Sequence, residues 1–295
     1  MKLRKILCIA MAAVLTAGCA MALGGCSKKA ARPELNANIK TDTAHKIGYQ
    51  LEKPADGEEV AILHTTMGDI TLRFFPENAP KAVENFKALA KDGKYDGTIF
   101  HRVIKDFMLQ GGDYENADGT GGTSSFGEAF EDEFCNTLYN IRGSVAMANS
   151  GENTNGSQFF INQAGKDSFK REDVDYDKTY DQYKDMYNQY VASYGMQFVA
   201  QYADADAFIK DYIGGIHPLS YAIPEEVWKL YEENGGNIHL DGALRSSGGH
   251  TVFAQVIEGM DVVDKIADVE VDEEANKPKE DVKITKVELT TYKAK

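Results

Sequence analysis

The sequence predicts a mainly β domain: a closed eight-stranded antiparallel barrel, capped by two helices and interrupted by a helical insertion. Eight short runs in which apolar and polar residues alternate are joined by connections rich in glycine. Closing such strands into a barrel leaves no unpaired sheet edge. A tyrosine-rich segment at residues 165–236 breaks the strand pattern and has helical spacing instead. We therefore expect one barrel domain at residues 59–295 with this insertion inside it.

The strands are predicted where β-branched and aromatic residues are bounded by turn residues. The first two flank the sequence T-M-G-D at residues 66–69, which is typical of a hairpin turn. The eight predicted strands are residues 60–64, 70–75, 98–104, 107–110, 145–148, 158–161, 252–256 and 282–290.

Two helices are expected to cap the barrel. The first should begin at Pro80, since proline is favoured in the first turn of a helix, and continue to residue 91. Asn78 is its candidate cap, and Gly93 is its stop signal. The second helix, at residues 260–267, should close one end of the barrel with its apolar face. That face carries Val262, Val263 and Ile266.

The insertion contains a stripe of aromatic residues at steps of four and three, which is typical of a helical seam with a 3.5-residue period. We expect the stripe to pack against its neighbours or the barrel wall; a client-binding or self-association surface is the alternative, because tyrosines suit interfaces. Gly195 should mark a bend or a helix end. Further helices are expected at residues 204–213 and 225–233. The stripe consists of Tyr176, Tyr180, Tyr183, Tyr187, Tyr190, Tyr194 and Phe198.

Residues 1–26 have the pattern of an export signal. Three cations near the start precede an apolar run at residues 6–23 and then L-G-G-C, which ends at Cys26. An uncleaved anchor helix is the alternative, because the run is about long enough to span a bilayer. The segment resembles a bacterial lipoprotein signal, which implies that Cys26 becomes the lipid-modified first residue, with Cys19 as a second candidate. Two acyl chains would anchor the protein at the extracytoplasmic face of the bacterial membrane.

Composition limits the remaining possibilities. Residues 27–58 are polar and without an apolar period, so they are expected to form a flexible tether. Cys8 and Cys19 lie in the signal and Cys26 is the lipid site, which leaves Cys135 alone and excludes a disulfide framework. The formal charge of −14 argues against nucleic-acid binding by phosphate neutralisation.

Two motifs carry the chemistry. Residues 100–113 read F-H-R-V-I-K-D-F-M-L-Q-G-G-D, and residues 144–162 read S-V-A-M-A-N-S-G-E-N-T-N-G-S-Q-F-F-I-N. The first combines a cation, large apolar side chains and a glutamine, a mixture that suits an apolar slot with a few fixed polar groups. Together with D-G-T-G-G at residues 118–122, these motifs resemble the cyclophilin family of peptidyl-prolyl cis-trans isomerases. The resemblance covers about residues 59–163 and 237–289.

The resemblance implies catalysis by rotation rather than by bond cleavage. An X-Pro bond rotates over a barrier of ~18–20 kcal/mol, and the enzyme must bind the twisted amide better than either planar form. Arg102 would be the hydrogen-bond donor that favours the twisted state, and Gln110 would orient it and meet the substrate backbone. The fork of guanidinium N–H groups makes lysine a poor substitute. His101 and His250 form no ligand-spaced cluster, so neither a metal nor a cofactor is expected.

The resemblance also implies a proline pocket and an edge strand that pairs with the substrate backbone. Ala148 and Asn149 match that strand. His239 occupies a position where the family commonly has tryptophan, which predicts weaker binding of bulky cyclic ligands, and A-L-R-S-S-G-G at residues 243–249 lengthens the adjacent loop. The pocket residues that the resemblance implies are Phe107, Met108, Phe160, Leu240 and His250.

The expected function is isomerisation of X-Pro bonds in exported proteins during folding, at the membrane face. The expected partners are proline-containing peptides, unfolded or exported clients, the membrane through the lipid anchor, and cyclosporin-like cyclic peptides. The alternative is a peptide-binding chaperone module with weak or lost isomerase activity. A hydrolase is disfavoured, because no G-x-S-x-G elbow is present.

Overall fold

The computed structural model describes residues 34–36, 39–174, 176–195, 202, 204–208 and 218–294. The predictions for the export signal, Cys19 and Cys26 lie outside these residues, as does Phe198 of the aromatic stripe. Within the described part of the chain, none of the helices has the length and apolar character that a membrane span requires.

Eight strands form one antiparallel sheet, and each overlaps a predicted strand. The order across the sheet is β3-β4-β6-β5-β7-β2-β1-β8. Their bounds are β1 (Glu59–Thr65), β2 (Gly68–Phe74), β3 (Arg102–Ile104), β4 (Met108–Gly111), β5 (Ser144–Met147), β6 (Phe159–Asn162), β7 (Val252–Glu258) and β8 (Ile284–Thr291).

The sheet is a curled half-barrel, and the predicted closure is not confirmed. Strands β3 and β8 end the sheet on opposite sides and do not pair with each other as strands. Strand β3 is only three residues long, so it offers little ladder for β8. What joins these ends is an isolated bridge between Ile99 and Lys283, next to a bond from the Phe100 N–H to the Val282 carbonyl at 3.0 Å.

Alternation along the strands assigns residues to the two faces of the sheet. Val103 and Leu109 lie opposite each other and belong to the main core inside the half-barrel. Their chain neighbours therefore point to the other face. On that face Arg102 lies opposite Gln110, which in turn lies opposite Phe160. The register thus places residues from both sequence motifs, 100–113 and 144–162, in one row.

The described α-helices are α1 (Pro80–Lys91), α2 (Tyr176–Tyr194), α3 (Ala205–Phe208), α4 (Glu225–Asn234) and α5 (Met260–Ala267). Helices α1 and α5 have the bounds that the sequence predicts. Both bury their apolar faces in the main core, through Val83 and Phe86 in α1 and through Val263 and Ile266 in α5.

Asn78 is not the cap of α1. Ala79 occupies the cap position, and the N–H groups of Lys81 and Ala82 in the first turn donate to the Glu133 carboxylate at 3.1 and 3.0 Å. The Asn78 side-chain amide instead donates to the Tyr49 hydroxyl at 2.7 Å and to Asp42 Oδ2 at 2.8 Å. Asn78 is buried, so the two bonds to the preceding segment satisfy a group that would be costly to leave unpaired.

Within the predicted tether, the stretch around residues 42–50 is held against the half-barrel, although many residues between 39 and 58 are exposed. Tyr49 is buried, its ring stacks on His45 at 4.2 Å, and it meets Phe75 edge-on. Gln50 is fully buried and exchanges hydrogen bonds with the backbone of Tyr139. The segment lacks an apolar period because polar side chains hold much of it in place, and an apolar pattern cannot detect such bonds.

Two members of the aromatic stripe, Tyr183 and Tyr187, pack in a cluster formed mainly by the insertion. Tyr187 is buried and forms a cluster with Phe208 and Leu219, and Tyr183 packs at its border. Helix α2 ends at Tyr194, and Gly195 follows with φ of 75°, a left-handed conformation that suits a helix end. The end predicted at Gly195 is therefore confirmed. Residues 209–213 of the next predicted helix lie outside the described part.

Helix α4 attaches the insertion to the half-barrel. It buries Val227, Trp228 and Tyr231 against a cluster that includes Tyr139 and Ile238. The Tyr231 hydroxyl donates to the carboxyl group of Asp241, which also accepts bonds from the backbone and side-chain amides of Asn140. This network fixes the loop that carries His239 and Leu240 beside the row of motif residues.

Candidate active site

A row of side chains crosses the outer face of strands β3, β4 and β6. Arg102, Gln110 and Phe160 are direct cross-strand neighbours, and neighbours of this kind lie about 4.5–5.5 Å apart at their Cβ atoms. Met108 is two residues from Gln110 in β4 and shares the same face. The structure therefore brings together four residues that the sequence analysis assigned to the site.

The guanidinium of Arg102 is held at the edge of an aromatic surface. One of its N–H groups donates to Gln110 Oε1 at 3.4 Å, and its carbon lies 6.0 Å from the centre of the Phe107 ring. Partial burial lowers the pKa of Arg102, yet an arginine keeps its charge in proteins. The site thus contains a fixed positive charge that has further N–H donors.

Gln110 is itself oriented by a second glutamine, which the sequence analysis did not single out. The Gln110 amide donates to Gln158 Oε1 at 2.9 Å. The Gln158 amide donates to the carbonyls of Gly119 and Gly121 at 3.0 and 2.7 Å. This chain of bonds runs from a glycine loop to Arg102. Gln158 could have been identified from the sequence by its spacing of two residues from Phe160, which places both side chains on one strand face.

An apolar cluster lies beside Arg102, and we call the side of it next to Arg102 the hollow. Met108 and Phe160 are buried in this cluster, while Phe107 and Leu240 are partly buried members of it. The His250 ring meets Phe160 edge-on with 5.1 Å between centroids. Burial lowers the pKa of His250, and its Nδ1 lies 2.9 Å from the Met147 carbonyl, so a neutral ring donates there. The predicted pocket residues are therefore all gathered in one place.

Ala148 and Asn149 also reach the site, but they do not belong to an edge strand. Strand β5 lies between β6 and β7, and the two residues follow its end. The Ala148 N–H donates to the Gln158 carbonyl at 2.9 Å, and the Asn149 amide donates to the Gly249 carbonyl at 2.8 Å. Both residues line a cleft of about 130 Å³ together with Gln110. A peptide would therefore meet their unused polar groups in a cleft rather than along a free edge.

His101 points away from the row into the protein. It is 5% exposed, and neither ring nitrogen has a hydrogen-bond partner among the described residues. Burial lowers its pKa and so favours the neutral ring, although Asp113 and Asp118 oppose the shift. His101 is therefore a packed residue next to Arg102 and is not a member of the row.

His239 stacks on Phe107 at the mouth of the hollow. The two rings are 5.8 Å apart at their centroids and nearly parallel, with an angle of 17°. The loop that follows is not loose, because Leu244 is 2% exposed and Arg245 is 8% exposed. The Arg245 side chain donates to the His239 carbonyl at 3.0 Å, which supports the loop from within.

Asp113 shapes the glycine loop that orients Gln158. It is 1% exposed, and burial alone would raise its pKa, but bonds from backbone N–H groups outweigh that effect and lower the pKa to about 2. The donors are the N–H groups of Glu115, Asn116, Asp118, Gly119 and Gly121. In the sequence, Asp113 is recognisable only as the last residue of the motif at residues 100–113.

Replacing Asp113 by asparagine should lower the free energy of unfolding by about 1–3 kcal/mol, because an amide group would face N–H donors that need an acceptor. The measurement is urea unfolding at neutral pH, with Asp92→Asn at an exposed position as the control. Because the pKa of Asp113 is lowered to about 2, its contribution is present above the unfolded-state pKa. It should fade as the pH falls from about 4 towards 2. Equal stabilities of the wild type and Asp113→Asn at neutral pH would contradict this.

Comparison with known proteins agrees with this geometry. The family model described as "Cyclophilin type peptidyl-prolyl cis-trans isomerase/CLD" matches residues 60–184 and 229–289. A relative from Staphylococcus saprophyticus, provisionally named a peptidyl-prolyl cis-trans isomerase, is 40% identical over 241 residues, which are 81% of this chain and 96% of the relative. The corresponding relative from Staphylococcus aureus is 39% identical with the same coverage.

Two further proteins resemble this chain, one over a small part of its own length and the other at low sequence identity. A Streptococcus pyogenes protein, provisionally named a bifunctional phosphatase/peptidyl-prolyl cis-trans isomerase, is 40% identical over 79% of this chain, which spans only 39% of that relative's length. The crystal structure of a cyclophilin type isomerase of Cryptosporidium parvum, in the presence of the dipeptide Ala-Pro, has a TM-score of 0.51 and 23% identity. It covers 79% of this chain and 99% of its own, which shows likeness of fold.

Proposed function

The chain belongs to the cyclophilin-type peptidyl-prolyl cis-trans isomerases, and from this premise we propose that Arg102 and the hollow beside it accelerate rotation of X-Pro bonds in exported proteins. The observation that carries the proposal is the row Arg102, Gln110 and Phe160 across three strands, with Phe107 and Met108 against it. The fixed cation can donate a hydrogen bond to the nitrogen of the twisted amide, and the apolar floor can hold the proline ring.

The apolar hollow would hold the proline ring while the preceding part of the peptide turns. Met108 and Phe160 are nearly buried, so their rotamers are fixed by packing before a substrate arrives. A preformed hollow of this kind spends little free energy on ordering its own side chains. Phe107 and Leu240, which are only partly buried, would complete its rim.

Arg102 would act on the twisted state more than on the planar ones. When the amide loses its resonance, the prolyl nitrogen regains a lone pair that can accept a hydrogen bond. One N–H of Arg102 already bonds to Gln110, and the guanidinium fork has other N–H groups for this lone pair. An interaction made mainly in the transition state increases the rate rather than only the binding of substrate.

Proline-containing peptides are the substrates that this site fits. The Cryptosporidium parvum neighbour was crystallised in the presence of Ala-Pro, a dipeptide with the bond in question. The cleft of about 130 Å³ beside Ala148 and Asn149 gives a polar surface for the chain next to the proline. Cyclosporin-like cyclic peptides would use the same hollow, more weakly because His239 closes it with a smaller ring than tryptophan.

The place of action is part of the proposal. The export-signal pattern of residues 1–26 and the lipoprotein-like L-G-G-C support a domain anchored at the extracytoplasmic membrane face through lipid on Cys26. Slow X-Pro isomerisation limits the folding of many chains, so an anchored isomerase would serve proteins that fold after export. Mass spectrometry of the mature N-terminus tests this, and a mature chain with lipid on neither Cys26 nor Cys19 would rule out the lipid anchor.

The test of the activity is a protease-coupled assay of the full chain with a short Ala-Pro peptide at low temperature, where the uncatalysed reaction is slow. We expect the cis-to-trans rate to rise in proportion to enzyme concentration. A rate equal to the uncatalysed one at every enzyme concentration would refute the proposed function.

A further inference from the structure

A second cleft opens on the other side of the stacked pair Phe107 and His239. It encloses about 370 Å³ between the β3–β4 turn, the start of the insertion and the loop before Leu240. His239 belongs to both places, because it lines this cleft and stacks on Phe107 in the hollow. Asn237 lines the cleft as well and donates to the Phe107 carbonyl at 3.0 Å. The cleft is therefore adjacent to the candidate active site and shares His239 with it.

The floor of this cleft is apolar, and its rim is acidic. Ala164 and Ile238 are buried in the floor, beside the partly buried Phe169 and Val174. Asp106 and Asp173 are exposed at the rim, where Lys170 is the one cation among the lining residues.

The cations near Asp106 and Asp173 in the sequence are Lys105 and Arg171, and both form ion pairs with other acids. Lys105 pairs with Asp268 at 2.8 Å. Arg171 pairs with Glu225 at 3.0 Å and stacks over the Trp228 ring at 4.6 Å. The two rim carboxylates therefore face the cleft with only Lys170 to offset them, which leaves a net negative charge there.

We propose that this cleft is a substrate subsite for an arginine or lysine side chain in the client segment that flanks the isomerised proline. The proposal rests on the function proposed above. A long basic side chain has an apolar stem and a charged head, so its stem fits the floor beside Phe169 and Val174 while its head reaches Asp106 or Asp173. The negative charge of the whole chain would add to the attraction at longer range.

The subsite would act as a selectivity device rather than as a catalytic one. Its acids lie beyond His239, so they touch the flank of the peptide and not the rotating bond. Exposed ion pairs contribute little each, so two such acids should improve kcat/KM about threefold to tenfold, mainly through KM. The insertion supplies the wall at residues 168–174, which gives it a role in substrate choice.

Three peptides test the subsite with the full chain: an alanine-rich Ala-Pro parent, the same peptide with arginine three residues before the proline, and one with arginine three residues after it. Exchange NMR at low ionic strength gives kcat/KM for each. We expect one arginine peptide to exceed the parent about threefold to tenfold, and we expect 0.5 M salt to reduce that ratio.

The double variant Asp106→Asn, Asp173→Asn should bring this ratio close to one. Asparagine suits position 106, where φ is 58°, because it tolerates the left-handed region. The control is Glu280→Gln, Asp281→Asn, which removes the same charge from exposed residues outside the cleft and should keep the ratio.

Two outcomes overturn the subsite: neither arginine peptide exceeds the parent, or the gain survives in Asp106→Asn, Asp173→Asn. An equal loss in the control variant would assign the gain to the overall charge and also overturn it. Failure of the proposed function is distinguishable, because the wild type would then accelerate none of the three peptides, the parent included.

Discussion

Replacing Arg102 by alanine should lower kcat/KM for an Ala-Pro peptide by about 100-fold or more, the usual loss when a donor to the transition state is removed. The fold should remain, because Arg102 is only half-buried and its described contacts are a bond to Gln110 at 3.4 Å and the Phe107 ring at 6.0 Å. The measurement is the protease-coupled rate, accompanied by circular dichroism and a urea unfolding curve.

Two further variants test whether the loss is due to the guanidinium group itself or to the removal of a positive charge. Arg102→Lys keeps the charge but loses the rigid fork of donors, so it should recover little of the activity. Lys105→Ala removes a nearby exposed cation that is paired with Asp268, and it should retain the wild-type rate. An Arg102→Ala enzyme with the wild-type rate and an intact fold would exclude Arg102 from the chemistry.

Replacing Phe160 by alanine should have the largest effect on stability among the site residues. Phe160 is 4% exposed and packs with Met108 and Tyr49 in one cluster. Truncating a buried phenylalanine typically costs about 3–5 kcal/mol. The same change removes the floor of the hollow, so KM for the Ala-Pro peptide should rise while Arg102 stays in place. Urea unfolding gives the stability, and the peptide assay at low temperature gives the kinetics.

The control for Phe160→Ala is Phe126→Ala. Phe126 is 41% exposed and contacts Phe130 edge-on, so its truncation should change the free energy of unfolding by much less. If the Phe160→Ala variant retains both its stability and its KM, Phe160 does not form the floor of a substrate site.

The strands and the row of site residues follow from the sequence for a physical reason. Apolar alternation with period two predicts which residues face the core, and antiparallel register then carries Arg102, Gln110 and Phe160 to the same face. Helices α1 and α5 could also be predicted from the sequence, because each has one apolar face and Pro80 marks the start of α1. Local sequence patterns predict the strands and helices correctly wherever the burial of apolar side chains determines the structure.

The sequence gives weaker signals where polar contacts or distant segments decide. Asn78 holds the stretch that contains Asp42 and Tyr49 by hydrogen bonds that no apolar pattern records. The barrel does not close because strand β3 is short, and residue propensities alone do not predict that length. The cleft beyond His239 forms only because the insertion folds back to place residues 168–174 beside the β3–β4 turn.

The central claim is that Arg102, Gln110, Phe160 and His250 together bind the X-Pro bond. The most direct measurement is an NMR titration of the isotope-labelled full chain with an Ala-Pro peptide. Saturable shifts at these four residues, absent with a matched Ala-Ala peptide, are the predicted result. Shifts confined to the tyrosine-rich helix α2, or none at the four residues, would contradict the claim.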